Sequence, residues 1–96
     1  MKATSVSARV ITRGGGNNRL VIKADENLSY AEIEVVTVGE NGKSLPVRVQ
    51  TITSGNASVK DGKIAINDLI AGQKTAVDFT VHGKQNYAMG VKVYGN

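Results

Sequence analysis

Apolar residues recur at every second position along most of the chain, and this spacing constrains the fold more than any other feature. In Leu45-Pro46-Val47-Arg48-Val49-Gln50-Thr51-Ile52, the residues Leu45, Val47 and Val49 alternate with Arg48 and Gln50. That is the pattern of a strand with one face buried and the other wet. Val77, Phe79 and Val81 alternate in the same way with Asp78, Thr80 and His82, and Tyr87, Met89, Val91 and Val93 with Gly90, Lys92 and Tyr94. Leu20, Ile22 and Ala24 alternate with Lys23. Ile33 and Val35 alternate with Glu32 and Glu34 until the pattern thickens at Val36 and Val38, which predicts a bulge or burial on both sides. Val6, Ala8 and Val10 predict a first strand, and Ala57 to Lys60 and Lys63 to Ile66 two short central ones. Pro46 lacks an N–H and belongs at a strand start or a sheet edge.

Turn residues separate these runs. Asn41-Gly42 and Asp61-Gly62 accept positive φ at both centres of a type I′ turn, so each predicts a hairpin. Gly14-Gly15-Gly16-Asn17-Asn18 and Gly83-Lys84-Gln85-Asn86 read as loops. Asn67 to Gly72, with a capping residue, a short apolar stretch and a terminal Gly, predicts a single helical turn. Ser29-Tyr30-Ala31-Glu32 fits a capping box, but the β-branched Ile33, Val35, Val36 and Val38 that follow favour a strand. Seven or eight short antiparallel strands with no helix long enough for a crossover predict an all-β, immunoglobulin-like two-sheet sandwich. A small barrel is the alternative. At 96 residues one domain spanning 1–96 is expected.

The closing third resembles a known architecture. Ile66-Asn67-Asp68-Leu69-Ile70-Ala71-Gly72-Gln73, then Val77 to Val81, then Tyr87 to Tyr94, resembles the end of bacterial surface Ig-like accessory modules of CARDB-like type and, more distantly, fibronectin type III. There a leucine followed by Ala-Gly turns the chain into its last two strands. The resemblance covers about 30 residues, lacks the Trp and paired Cys of antibody domains, and implies a sandwich with a spacer or adhesive role.

Composition narrows the chemistry. With no cysteine, disulfides, thiolate zinc sites, Cys nucleophiles and redox work are excluded. No apolar run approaches the roughly 18 residues of a membrane span. Charge falls in blocks: residues 1–24 carry Lys2, Arg9, Arg13, Arg19 and Lys23 without an acid, and residues 25–40 carry Asp25, Glu26, Glu32, Glu34 and Glu40 without a base. Facing strands that neutralise each other are the first expectation, and a head-to-tail contact between copies, with weak self-association, the second.

Each apparent catalytic motif has a plainer explanation. Gly39 to Ser44 ends like a phosphate-binding loop, yet Thr37 stands where that motif needs glycine and a strand follows where it needs a helix. Glu32 and Glu34 share one strand face about 6–7 Å apart, within the range of paired glycosidase carboxylates, but alternating Glu is also how a solvated face looks. His82 is the only histidine, so no Ser/His/Asp set forms without it. Asp25-Glu26-Asn27 with Asp68 or Asp61 offers oxygens of the kind Ca²⁺ takes, without EF-hand spacing, and turn hydrogen bonding is the expectation there. Arg13-Gly14-Gly15-Gly16 occurs once, and the four aromatics are Tyr30, Phe79, Tyr87 and Tyr94, too few for strong base stacking. Asn27-Leu28-Ser29 and Asn56-Ala57-Ser58 match the glycosylation sequon.

The expectation is therefore a non-catalytic structural or adhesive Ig-like module with no catalytic residue, cofactor or metal. Its partner is expected to be a protein or neighbouring module, with carbohydrate second and nucleic acid disfavoured. Expected contact residues are Arg13, Asn17 and Asn18 on one loop, Lys84 and Asn86 on another, and Tyr30 and Tyr94 as the aromatics left for a sugar ring. A module of an exported parent belongs outside the cell or on its surface; if Met1 is native, a virion decoration domain or a cytoplasmic protein is expected instead.

Overall fold

A computed structural model describes residues 6–13, 17–37, 45–82 and 89–95. They form nine strands: β1 (Val6–Arg13), β2 (Asn17–Ala24), β3 (Leu28–Thr37), β4 (Pro46–Val47), β5 (Val49–Ser54), β6 (Ser58–Lys60), β7 (Lys63–Leu69), β8 (Lys74–Val81) and β9 (Met89–Gly95). Two antiparallel sheets pack into a β-sandwich. Sheet A runs β1-β2-β8-β5. In sheet B, β7 and β9 both pair with Ala31–Ile33 of β3, so they flank it on opposite sides. Near the far end of β3, β9 again takes one side and β4 the other, and β6 extends the sheet beyond β7.

The alternation predicts the core well. Leu20, Ile22, Val77 and Phe79 of sheet A meet Ile33, Val35, Ile64 and Ile66 of sheet B, all completely or almost completely buried. Val6, Ala8, Val10, Met89, Val91 and Val93 pack on this core from the edge strands β1 and β9 and stay partly exposed. The thickened pattern at Val36 is burial on the outer face: Val36 is buried although it stands opposite Pro46 and Gly90 and outside the main cluster. The Asp61-Gly62 turn has the two positive φ values that the dipeptide predicts, 51° and 75°. Residues 41–42 lie outside the described residues, but the strands they join close on each other, with Thr37 N–H donating to Leu45 O at 2.9 Å.

Three details differ from the sequence reading. The run Leu45 to Ile52 is two strands in two sheets. The chain changes sheet at Arg48, whose carbonyl accepts from His82 N–H at 3.1 Å while Val49 N–H donates to Gly62 O at 2.9 Å. One strand is thereby counted as two, and Leu45 precedes the pairing and is exposed. There is no helical turn at Asn67–Gly72. β7 continues through Leu69 with Asp68 at φ 59°, and Ala71-Gly72 turns the chain, with Gly72 N–H donating to Ala24 O at 2.9 Å. The glycine loop is also shorter than it reads, because Asn17 and Asn18 already pair with Arg13 and Thr12.

Candidate functional site

Two-residue alternation gives each sheet an outer face, and strand pairing decides which side chains meet there. In sheet B, Glu32 stands opposite Tyr94 on one side and Ala65 on the other, and Ala65 stands opposite Ser58. Tyr30 is two residues before Glu32 on the same face. Tyr30 and Tyr94, far apart in sequence, thus become diagonal neighbours about 7–8 Å apart at the backbone.

Long side chains tie this face together. Tyr30 O–H donates to Glu32 Oε1 at 3.0 Å. Lys60 reaches from β6 across β7, placing its Nζ 5.5 Å from the centre of the Tyr30 ring and 3.7 Å from Glu32 Oε1. Lys63 reaches from β7 across β3 to lie 5.7 Å from the centre of the Tyr94 ring. Ammonium over a ring face is an attractive arrangement. Ala65, between Glu32 and Ser58 in the register, is only 4% exposed although it points outward. The Lys60 ammonium is held above the ordinary lysine value, first by the Tyr30 side chain and then by the Glu32 carboxylate.

The result is a platform with two rings, one carboxylate and two ammonium groups. Tyr94 is 40% exposed and Tyr30 half-buried, while the Lys60 side chain is 58% exposed. A salt bridge this open is held weakly, so Lys60 can swing off the Tyr30 ring at little cost. An incoming ligand would find aromatic faces, an acceptor and donors of N–H within one small area.

Other expected residues fall elsewhere. Asn18 is 1% exposed, in the inward row with Leu20, Ile22 and Ala24, so it offers no surface to a partner. Extending that alternation back by two residues would have identified it. Asn17 is exposed on β2 opposite Arg13 and Thr80. Lys84 and Asn86 lie outside the described residues. His82 is exposed. Glu32 is engaged by Tyr30 and Lys60, while Glu34 stands opposite Lys92 in register, so the two glutamates have different surroundings. Asn27 Oδ1 accepts from Ala71 N–H at 2.8 Å, as expected for a turn-capping side chain. Beside it Asn27, Leu28, Ser29, Asp68, Leu69 and Ile70 line an open cleft of about 360 Å³. Among the described residues, no three His, Asp or Glu side chains gather where they could hold a metal.

Among the described residues, the basic strands and the acidic strand of the two charge blocks do not neutralise each other. The basic strands β1 and β2 are in sheet A and the acidic β3 is in sheet B, so their outward side chains point away from one another. Glu32 is bridged by Lys60, and Arg19 by Asp78.

Fold and surface together define an all-β sandwich with two outer faces of different chemistry. Comparison with protein-family models, curated proteins and solved structures found no match.

Proposed function

We propose that this chain is a non-catalytic adhesive module of an exported or surface protein, and that it makes contact through the outer face of sheet B. The observation that carries this reading is the convergence of Tyr30 and Tyr94 on either side of Glu32, with Lys60 and Lys63 over their rings. Rings that present an apolar face with a polar rim are the usual anchors of recognition surfaces. Here they sit on paired strands, where they are held more firmly than on loops.

The same pair of rings favours carbohydrate as the contacted chemistry. The C–H face of a neutral sugar ring stacks on tyrosine, the Glu32 carboxylate accepts from its hydroxyls, and the two ammonium groups donate to them. The test is retention of the protein in gels containing neutral polysaccharides. Wild type should be slowed by at least one of a broad set, and Tyr30→Ala or Tyr94→Ala should lower that affinity about tenfold or more, within the range of a lost aromatic anchor. Wild type running freely through every gel would remove the carbohydrate reading, and unchanged retention of both variants would remove this face.

A further inference from the structure

The outer face of sheet A is built on different lines. Its outward positions pair Ser7 with Lys23 and Lys74, Arg9 with Val21 and Ala76, and Ile11 with Arg19 and Asp78. These positions hold four cations, Arg9, Arg19, Lys23 and Lys74, and one carboxylate, Asp78. Asp78 is occupied by Arg19 through two parallel hydrogen bonds, Nε to Oδ1 at 2.8 Å and Nη2 to Oδ2 at 3.1 Å. Lys23 stands directly opposite Lys74, an arrangement of like charges that weakens a sheet.

Sheet B also sets two lysines opposite each other, Lys60 and Lys63, but each has a ring beneath it and Lys60 has Glu32 as well. Lys23, Lys74 and Arg9 are exposed and form no ion pair with any described residue. Glu32 and Glu34 of the acidic block cannot serve them, because β3 turns both to the opposite side of the molecule, and Asp25 and Glu26 in the turn after β2 are bridged to none of the three. Among the described residues no carboxylate is bridged to Lys23 or Lys74, so an anionic ligand would relieve their repulsion.

We infer that the outer face of sheet A docks an anionic polysaccharide, a chain bearing sulfate or carboxylate groups. Arg9 lies diagonally between Arg19 and Lys23, so the cations form a staggered row with steps of about 7–8 Å, suited to a repeating series of anions. Arg supplies forked donors for oxyanions and Lys supplies point charge. Val21 and Ala76 between them keep the floor low enough for a sugar ring to lie flat. Nucleic acid fits less well. Single strands are bound largely by stacking on aromatic rings, and the described residues of this face include none. Duplex DNA is most often read by a helix or a two-stranded ribbon that enters the major groove, and the described residues of this face form a four-stranded sheet with neither. A second copy fits less well too, because the outer face of sheet B sets Glu32 and Glu34 among Lys60, Lys63 and Lys92 and is not an acidic counterpart.

The test measures binding of the intact protein to a heparin oligosaccharide at 50 and 200 mM NaCl, beside a DNA duplex of equal charge. The expected result is glycan binding at 50 mM that falls at least tenfold at 200 mM, with the duplex bound at least tenfold more weakly. Lys23→Gln/Lys74→Gln should lose at least tenfold in glycan affinity, and Arg48→Gln/Lys92→Gln, which removes the same charge away from this face and outside the Tyr30–Tyr94 platform, should stay within twofold of wild type. All four substituted side chains are on the surface, and a melting curve for each variant checks that it is folded. The inference is overturned if wild type fails to bind the glycan at 50 mM, if the two double variants lose affinity equally, or if the duplex binds as tightly as the glycan.

Discussion

Gly55 shows how one residue is dictated by its neighbours. Its φ is 109°, and a Cβ built there would lie 2.7 Å from the Ala76 carbonyl oxygen and 3.0 Å from Val77 Cα. Both are backbone atoms of β8, the strand that β5 must follow through two register shifts. Neither can move without disturbing the buried Val77. Gly55→Ala combines a conformation that L side chains rarely adopt with a direct clash, and should cost about 2 kcal/mol or more. Urea unfolding monitored by circular dichroism measures it, and a loss below about 0.5 kcal/mol would contradict the account. Nothing in the sequence distinguished this glycine from the others, because its requirement comes from a strand more than 20 residues away. Asp61-Gly62 was legible for the opposite reason: its turn is local, and both φ values follow from the dipeptide itself.

Among the elements, strands that belong to one sheet throughout were legible from their alternation. The inward rows of β2 and β8 can be read directly from Leu20-Val21-Ile22-Lys23-Ala24 and Val77-Asp78-Phe79-Thr80-Val81. The segment that changes sheet was not, since period two continues through Arg48 while the hydrogen-bond partners change from β3 to β8. The candidate site was legible only as residue types. Tyr30 and Tyr94 could be named from sequence, but their meeting beside Glu32 depends on the β3–β9 register. The β6–β7–β3–β9 network also has a pH signature. Because the Lys60 pKa is raised in the folded protein, its contribution to stability is complete below the ordinary lysine value and is lost as pH rises through the raised one. Glu32→Gln removes one of the causes, so the Lys60 midpoint, followed by the NMR shift of its Cε, should move down. An unchanged or higher midpoint would mean that the carboxylate does not act on Lys60.

For the molecule as a whole, a single buried cluster shared by both sheets leaves the two outer faces free to carry independent chemistry. Substitutions confined to one face should therefore leave the other unaffected, as expected for distant sites that share no partner. The charge blocks conspicuous in the sequence acquire their meaning only at this scale. They separate because the chain passes from sheet A to sheet B between β2 and β3, so Arg9, Arg19 and Lys23 collect on one face and Glu32 and Glu34 are placed among lysines on the other. The central claim is that partners meet the flat faces of the sheets and not the loops at their ends. Its most direct test is an amide NMR titration of the labelled protein, first with a neutral polysaccharide fragment retained in the gel assay and then with the heparin oligosaccharide. The account predicts shifts centred on Tyr30, Glu32, Ala65 and Tyr94 for the first and on Arg9, Val21, Lys23 and Lys74 for the second. Shifts confined to the loops for both ligands, or the same residues responding to each, would contradict it.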